Sequence, residues 1–147
     1  MLAQRWQSTW VDTDDLLALT VREPVADHLR RVSEPAFRSA EFSVLRTALA
    51  QYDVVATGGG VVATSEARQV LVASATVWLD CDDEIILARV EDGDRPLLGD
   101  DHAAALARLR ATRTPWYAAV SRARVDASGT LEDVSSRVQE ALAELER

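Results

Sequence analysis

Two aspartates, Asp12 and Asp14, follow the β-branched and aromatic run Ser8-Thr9-Trp10-Val11. That run reads as a short strand, and acids at the carboxyl end of a parallel strand lie at the edge where α/β proteins bind ligands. One carboxylate there can serve a metal-bound water and the other a substrate hydroxyl; equally, one can simply cap a helix running from Leu16. A second stretch, Val54-Val55-Ala56-Thr57, breaks into Gly58-Gly59-Gly60. Its apolar residues suit a strand covered on both faces. Glycines let the chain turn sharply and leave N–H groups clear for a carboxylate or phosphate, although a plain strand-to-helix turn uses them in the same way. Third, Arg38 and Glu41 stand three apart, neighbours on one helical face. A carboxylate that holds an arginine keeps its planar fork aimed for bidentate capture of a substrate carboxylate; the same spacing also describes a solvated ion pair.

Three further arginines deserve a chemical reading. Arg89 stands near the end of a helix predicted over Asp82–Val90. Arg95 is the one cation in the acidic, glycine-containing stretch from Glu91 to Asp101, which reads as a mobile loop able to close over a phosphoryl transfer or, more plainly, as a solvated acidic loop. Arg113 precedes Pro115, Trp116 and Tyr117 in a helical region over His102–Ala123 that the proline is expected to interrupt. Arg108 and Arg110 read as ordinary surface charges. His28, His102 and Cys81 have no identifiable catalytic partner.

The elements that must position these groups alternate in type. After a turn of helix at Leu2–Trp6 come the first strand, a helix opened by Pro24, and a longer one begun by Ser33 and Pro35. Beyond the glycines follow a helix over Ser65–Val72, a strand Thr76–Asp80, a strand Arg124–Asp126, and a last helix Leu131–Leu145 capped by Thr130. This order predicts one three-layer α/β/α domain with a parallel sheet, spanning residues 1–147. With 48% hydrophobic residues the chain can build a real core, and its net charge of -8 argues against nucleic acid or an anionic membrane as partner. One cysteine excludes an intrachain disulfide, and no apolar run approaches a membrane span, so a cytoplasmic monomer acting on a small molecule is expected.

Taken together, Val11-Asp12-Thr13-Asp14, Phe37-Arg38 with Glu41, Thr57-Gly58-Gly59-Gly60-Val61-Val62, Arg95-Pro96-Leu97-Leu98, and Arg113 with Pro115 and Tyr117 resemble the shikimate kinases, a family of P-loop kinases. The resemblance runs from about Leu2 to the last helix. It implies ATP-dependent phosphorylation of the shikimate 3-hydroxyl in the pathway to aromatic amino acids. By motif, Asp14 would orient and deprotonate that hydroxyl. Arg38, Arg113 and the backbone of Gly58, Gly59 and Gly60 would hold the substrate. Asp12 would assist Mg2+ through water, Arg95 would touch the phosphates, and Arg89 would pack against adenine.

One element of the family pattern is missing from these residues. No G-x-x-x-x-G-K-S/T sequence occurs, and the sixteen basic residues are all arginine. That motif supplies the N–H cradle for the phosphates, a lysine for the β and γ oxygens and a hydroxyl for magnesium. The expectation is therefore a chain that starts at an internal methionine, missing its first strand and phosphate-binding loop and doubtful as a kinase alone. The alternative is a non-catalytic shikimate-binding or regulatory pseudokinase.

Overall fold

In the computed structural model, residues 2–90 and 101–145 are described, and they divide into two compact units, Leu2–Val70 and Leu71 onward. The first unit opens with α1 (Leu2–Trp6), β1 (Trp10–Asp12), α2 (Thr13–Val21), α3 (Val25–Arg31) and α4 (Glu34–Gln51). β2 (Val54–Ala56) and a 3-10 turn (Val61–Ala63) follow, and α5 (Ser65–Ala73) leads out of the unit. The second unit contains β3 (Val77–Asp80), α6 (Asp83–Val90), α7 (His102–Val120), β4 (Ala123–Asp126) and α8 (Leu131–Leu145). No described helix is long and apolar enough to cross a membrane.

Local chemistry explains the helix boundaries. Asp12 caps α2, its Oδ1 accepting from the Asp14 N–H at 2.8 Å. Ser33 caps α4 with Pro35 in the first turn, where its missing N–H costs nothing. The Thr130 hydroxyl accepts from the Asp133 N–H at 3.2 Å and donates to the Asp133 carboxylate at 2.7 Å, a reciprocal cap for α8. Pro115 does not break α7, contrary to the sequence expectation: the helix runs through it from His102 to Val120. A proline deprives a helix of one hydrogen bond, and one lost bond in nineteen residues does not outweigh the packing of the rest.

Each unit holds one parallel pair of strands. Trp10, Val11 and Asp12 lie opposite Val54, Val55 and Ala56, while Val77–Asp80 lies opposite Ala123–Asp126. In the first unit the register is pinned at its start, where Asp53 Oδ2 accepts from both the Thr9 N–H, at 2.9 Å, and the Thr9 hydroxyl, at 2.7 Å. Every described strand has only one hydrogen-bonded neighbour. Val54 and Val55 are half-buried and Ala56 is exposed, rather than covered on both faces as their apolar run suggests. Most of the first unit's burial comes from helices instead: Leu17, Phe37 and Val44 form a core packed by Leu16, Val21, Val25, Leu29, Val32 and Ala40. Around Ala105, Ile86 and Leu109 a smaller cluster joins α6 to α7 in the second unit.

Candidate functional site

At the carboxyl edge of the β1–β2 pair, the chain turns into α2 after Asp12 and into the glycine segment after Ala56. Asp14, in the first turn of α2, sets its carboxylate beside Gly58: a Cβ there would stand 3.2 Å from Oδ1 and 3.5 Å from Oδ2. At the other end of the segment, a Cβ on Gly60 would overlap Nη1 of Arg38. Neither glycine has a positive φ, and Gly60 is helical at φ -77°. What these positions require is therefore room and not an unusual backbone, because an acid and a guanidinium lie where side chains would have grown.

Arg38 is 6% exposed, and its desolvated guanidinium is only partly satisfied. Nη1 donates to Glu41 Oε2 at 2.8 Å, whereas Nη2 reaches Glu34 Oε1 only at 3.5 Å and buried Nε has no hydrogen-bond partner among the described residues. The Phe37 ring lies beneath it, with Cζ 5.3 Å from the centroid. A guanidinium carries five N–H donors, so most of this fork remains unused inside a buried setting, which favours an incoming anion. Arg38 also lines a cavity of about 480 Å³ with Glu34, Pro35, Ser39, Phe42, Ala63, Thr64 and Glu66. The expected Arg38–Glu41 pair is thus a buried one and not a solvated pair on the helix surface.

Thus the first unit brings Asp14, Arg38 and Gly58–Gly60 to one edge. Asp12 flanks them, its carboxylate engaged in capping α2. No group of three or more histidine, cysteine, aspartate or glutamate side chains able to hold a metal ion occurs among the described residues. In the second unit, Arg89 leaves the end of α6 and donates through Nη2 to the Ala127 carbonyl at 3.0 Å, just past the carboxyl end of β4. Arg113 sits half-buried in α7. Arg95 and the loop expected to close lie outside the described residues.

Sequence reasoning undervalued Arg110. It pairs with Asp80 at 3.0 Å and with Asp83, and donates to the Cys81 carbonyl. Arg124 joins the same aspartate, Nε at 2.9 Å from Oδ2, and stacks over Trp78 at 4.7 Å, which in turn stacks on Tyr117 at 5.6 Å. Burial raises the pKa of the neighbouring Cys81 thiol, which therefore has little nucleophilic character at neutral pH. The signal available in the sequence was Asp80 at the end of an apolar strand, an acid that needs a cation if it is buried.

A family model described as Shikimate kinase matches residues 1–143. The shikimate kinase of Symbiobacterium thermophilum is 35% identical over 151 residues, covering 98% of this chain and 87% of the relative. That of Streptomyces avermitilis is 32% identical over 145 residues, covering 97% and 85%. Among solved structures, shikimate kinase from Acinetobacter baumannii in complex with shikimate superposes with a TM-score of 0.91 at 23% identity, over 98% of this chain and 83% of that one. The Aquifex aeolicus enzyme gives a TM-score of 0.83 at 24% identity, over 98% and 86%.

Proposed function

The chain belongs to the shikimate kinase family, and from that premise we propose that its first unit binds shikimate for ATP-dependent phosphorylation of the 3-hydroxyl. The observation that carries this reading is the glycine segment flanked by Asp14 at Gly58 and by Arg38 at Gly60. In it, the unused donors of Arg38 and the backbone of Gly59 and Gly60 take the substrate carboxylate and ring hydroxyls, while Asp14 orients the reacting hydroxyl and accepts its proton. A carboxylate beside the attacking oxygen and a fixed anchor at the far end of a small ring provide the alignment on which phosphoryl transfer chiefly depends. Arg113 is proposed as a second substrate arginine. Arg89 is proposed for adenine, Arg95 for phosphate, and Asp12 for a water on magnesium.

The residues present fit the acceptor better than the donor. ATP and Mg2+ are the family's cofactors, yet these 147 residues include neither G-x-x-x-x-G-K-S/T nor any lysine. The groups by which that motif cradles the phosphates are therefore not among these residues. A second reading is a shikimate-binding pseudokinase, which the acceptor residues Asp14, Arg38 and Gly58–Gly60 support equally.

Calorimetric titration separates the readings. The purified chain is expected to bind shikimate whether or not ATP is present, and to bind ATP weakly. Shikimate-dependent ADP release at ordinary kinase rates would remove the pseudokinase reading. Absence of shikimate binding by a folded chain would overturn both.

A further inference from the structure

His28 is a buried, hydrogen-bonded ring that neither the sequence nor the proposed chemistry employs. It lies in α3, 8% exposed, with Nδ1 2.6 Å from Glu23 Oε1. Arg31, one turn on, donates from Nε to both oxygens of the same carboxylate, at 3.1 and 3.2 Å. The Arg31 hydrogen bond, and next that of His28, lowers the Glu23 pKa from 4.5 to about 2. Glu23 is therefore ionised at neutral pH and can only accept, and with Arg31 Nη2 also 3.2 Å from Nδ1 these contacts hold the ring in one orientation.

That orientation bears on the candidate site. The His28 ring packs against Phe37, centroids 6.0 Å apart and planes 43° to each other, within the range of favourable aromatic pairs. Phe37, 4% exposed, is in turn the ring beneath the Arg38 guanidinium. From α2 the same core receives Leu16, Leu17 and Val21, all apolar, and the charged groups along this chain of contacts include Glu23, Arg31, Glu34, Arg38 and Glu41. A leucine would fill the volume of His28, but it would not be fixed by a clamped carboxylate. We infer that His28 is a positioning residue: held by Glu23, it seats the Phe37 ring and through it sets the plane of the Arg38 fork. Only the identity of the anion that Arg38 receives rests on the proposed function.

The test uses the 15N-labelled full chain. The Nε–Hε resonance of Arg38, assigned by its loss in Arg38→Lys, reports the guanidinium directly, and shikimate titration reports binding. Glu23→Gln and His28→Leu are expected to shift that resonance and to weaken shikimate binding about fivefold, the scale of coupling through packed side chains. Asp27→Asn, which removes an exposed partner of Arg30 on the same helix, should change neither. If His28→Leu fails to fold, Glu23→Gln decides. An Arg38 resonance unmoved in folded Glu23→Gln protein overturns the inference. If the parent chain does not bind shikimate, the proposed function fails while the resonance still decides this inference.

Discussion

Two arginine–carboxylate clusters, one in each unit, use the same chemistry to opposite ends. Around Asp80 the carboxylate is outnumbered: Arg110 and Arg124 both converge on an acid that is 8% exposed, and Trp78 stacks on Arg124. At Arg38 the imbalance falls on the cation, with one firm hydrogen bond to Glu41, a long one to Glu34 and an unmatched Nε. An acid saturated by its own chain has nothing left for a ligand. A buried guanidinium with unused donors is an unfinished interaction, and under the proposed function the difference separates a structural cluster from a receptive one.

The largest expected effect breaks this contrast on the receptive side. Arg38→Ala should weaken shikimate binding about a hundredfold, because a carboxylate loses a buried charged partner. Calorimetry would detect it, and an affinity within twofold of the parent would show that Arg38 is structural after all. On the saturated side, Asp80→Ala leaves two arginines facing each other. Arg124 is 66% exposed and Arg110 26%, so water screens part of the cost. A loss of about 2 kcal/mol in urea unfolding is expected, below the usual penalty for a fully buried broken pair. Gly60→Ala sharpens the comparison without changing any charge. Its methyl displaces Nη1 of Arg38, disturbing the buried bond to Glu41, and should reduce shikimate affinity about tenfold together with a lower unfolding midpoint.

The smallest effect concerns Glu23. A carboxyl whose folded pKa lies below its unfolded value contributes stability at pH above 4.5 and loses it as the pH falls toward 2. Thermal unfolding between these values should accordingly steepen with falling pH in the parent and flatten in Glu23→Gln. Equal slopes would mean that the Glu23–Arg31–His28 cluster is too solvated to count.

Much of the architecture was legible because its signals are local. Caps at Asp12, Ser33 and Thr130 and the apolar runs of β2 and β3 place these elements within a few residues of their positions. The acid, arginine and glycine motifs could be singled out because residue type limits chemistry. Pro115 misled, since a helix breaker acts against packing energy that no local window contains. Arg110 and His28 were passed over for a related reason: nothing near Arg110 in sequence announces Asp80, thirty residues away, and nothing near His28 announces Phe37 as its stacking partner.

Covalent order and residue type alone settled the family resemblance, the alternation of strands and helices, the negative charge and the absence of any lysine. Folding decided the rest. Only the packed chain shows that the glycines matter for space, that Arg38 is desolvated and half-matched, and that Asp80 is claimed by two arginines. Burial and distance set how strongly two charges interact, and those are properties of segments far apart in sequence brought to contact.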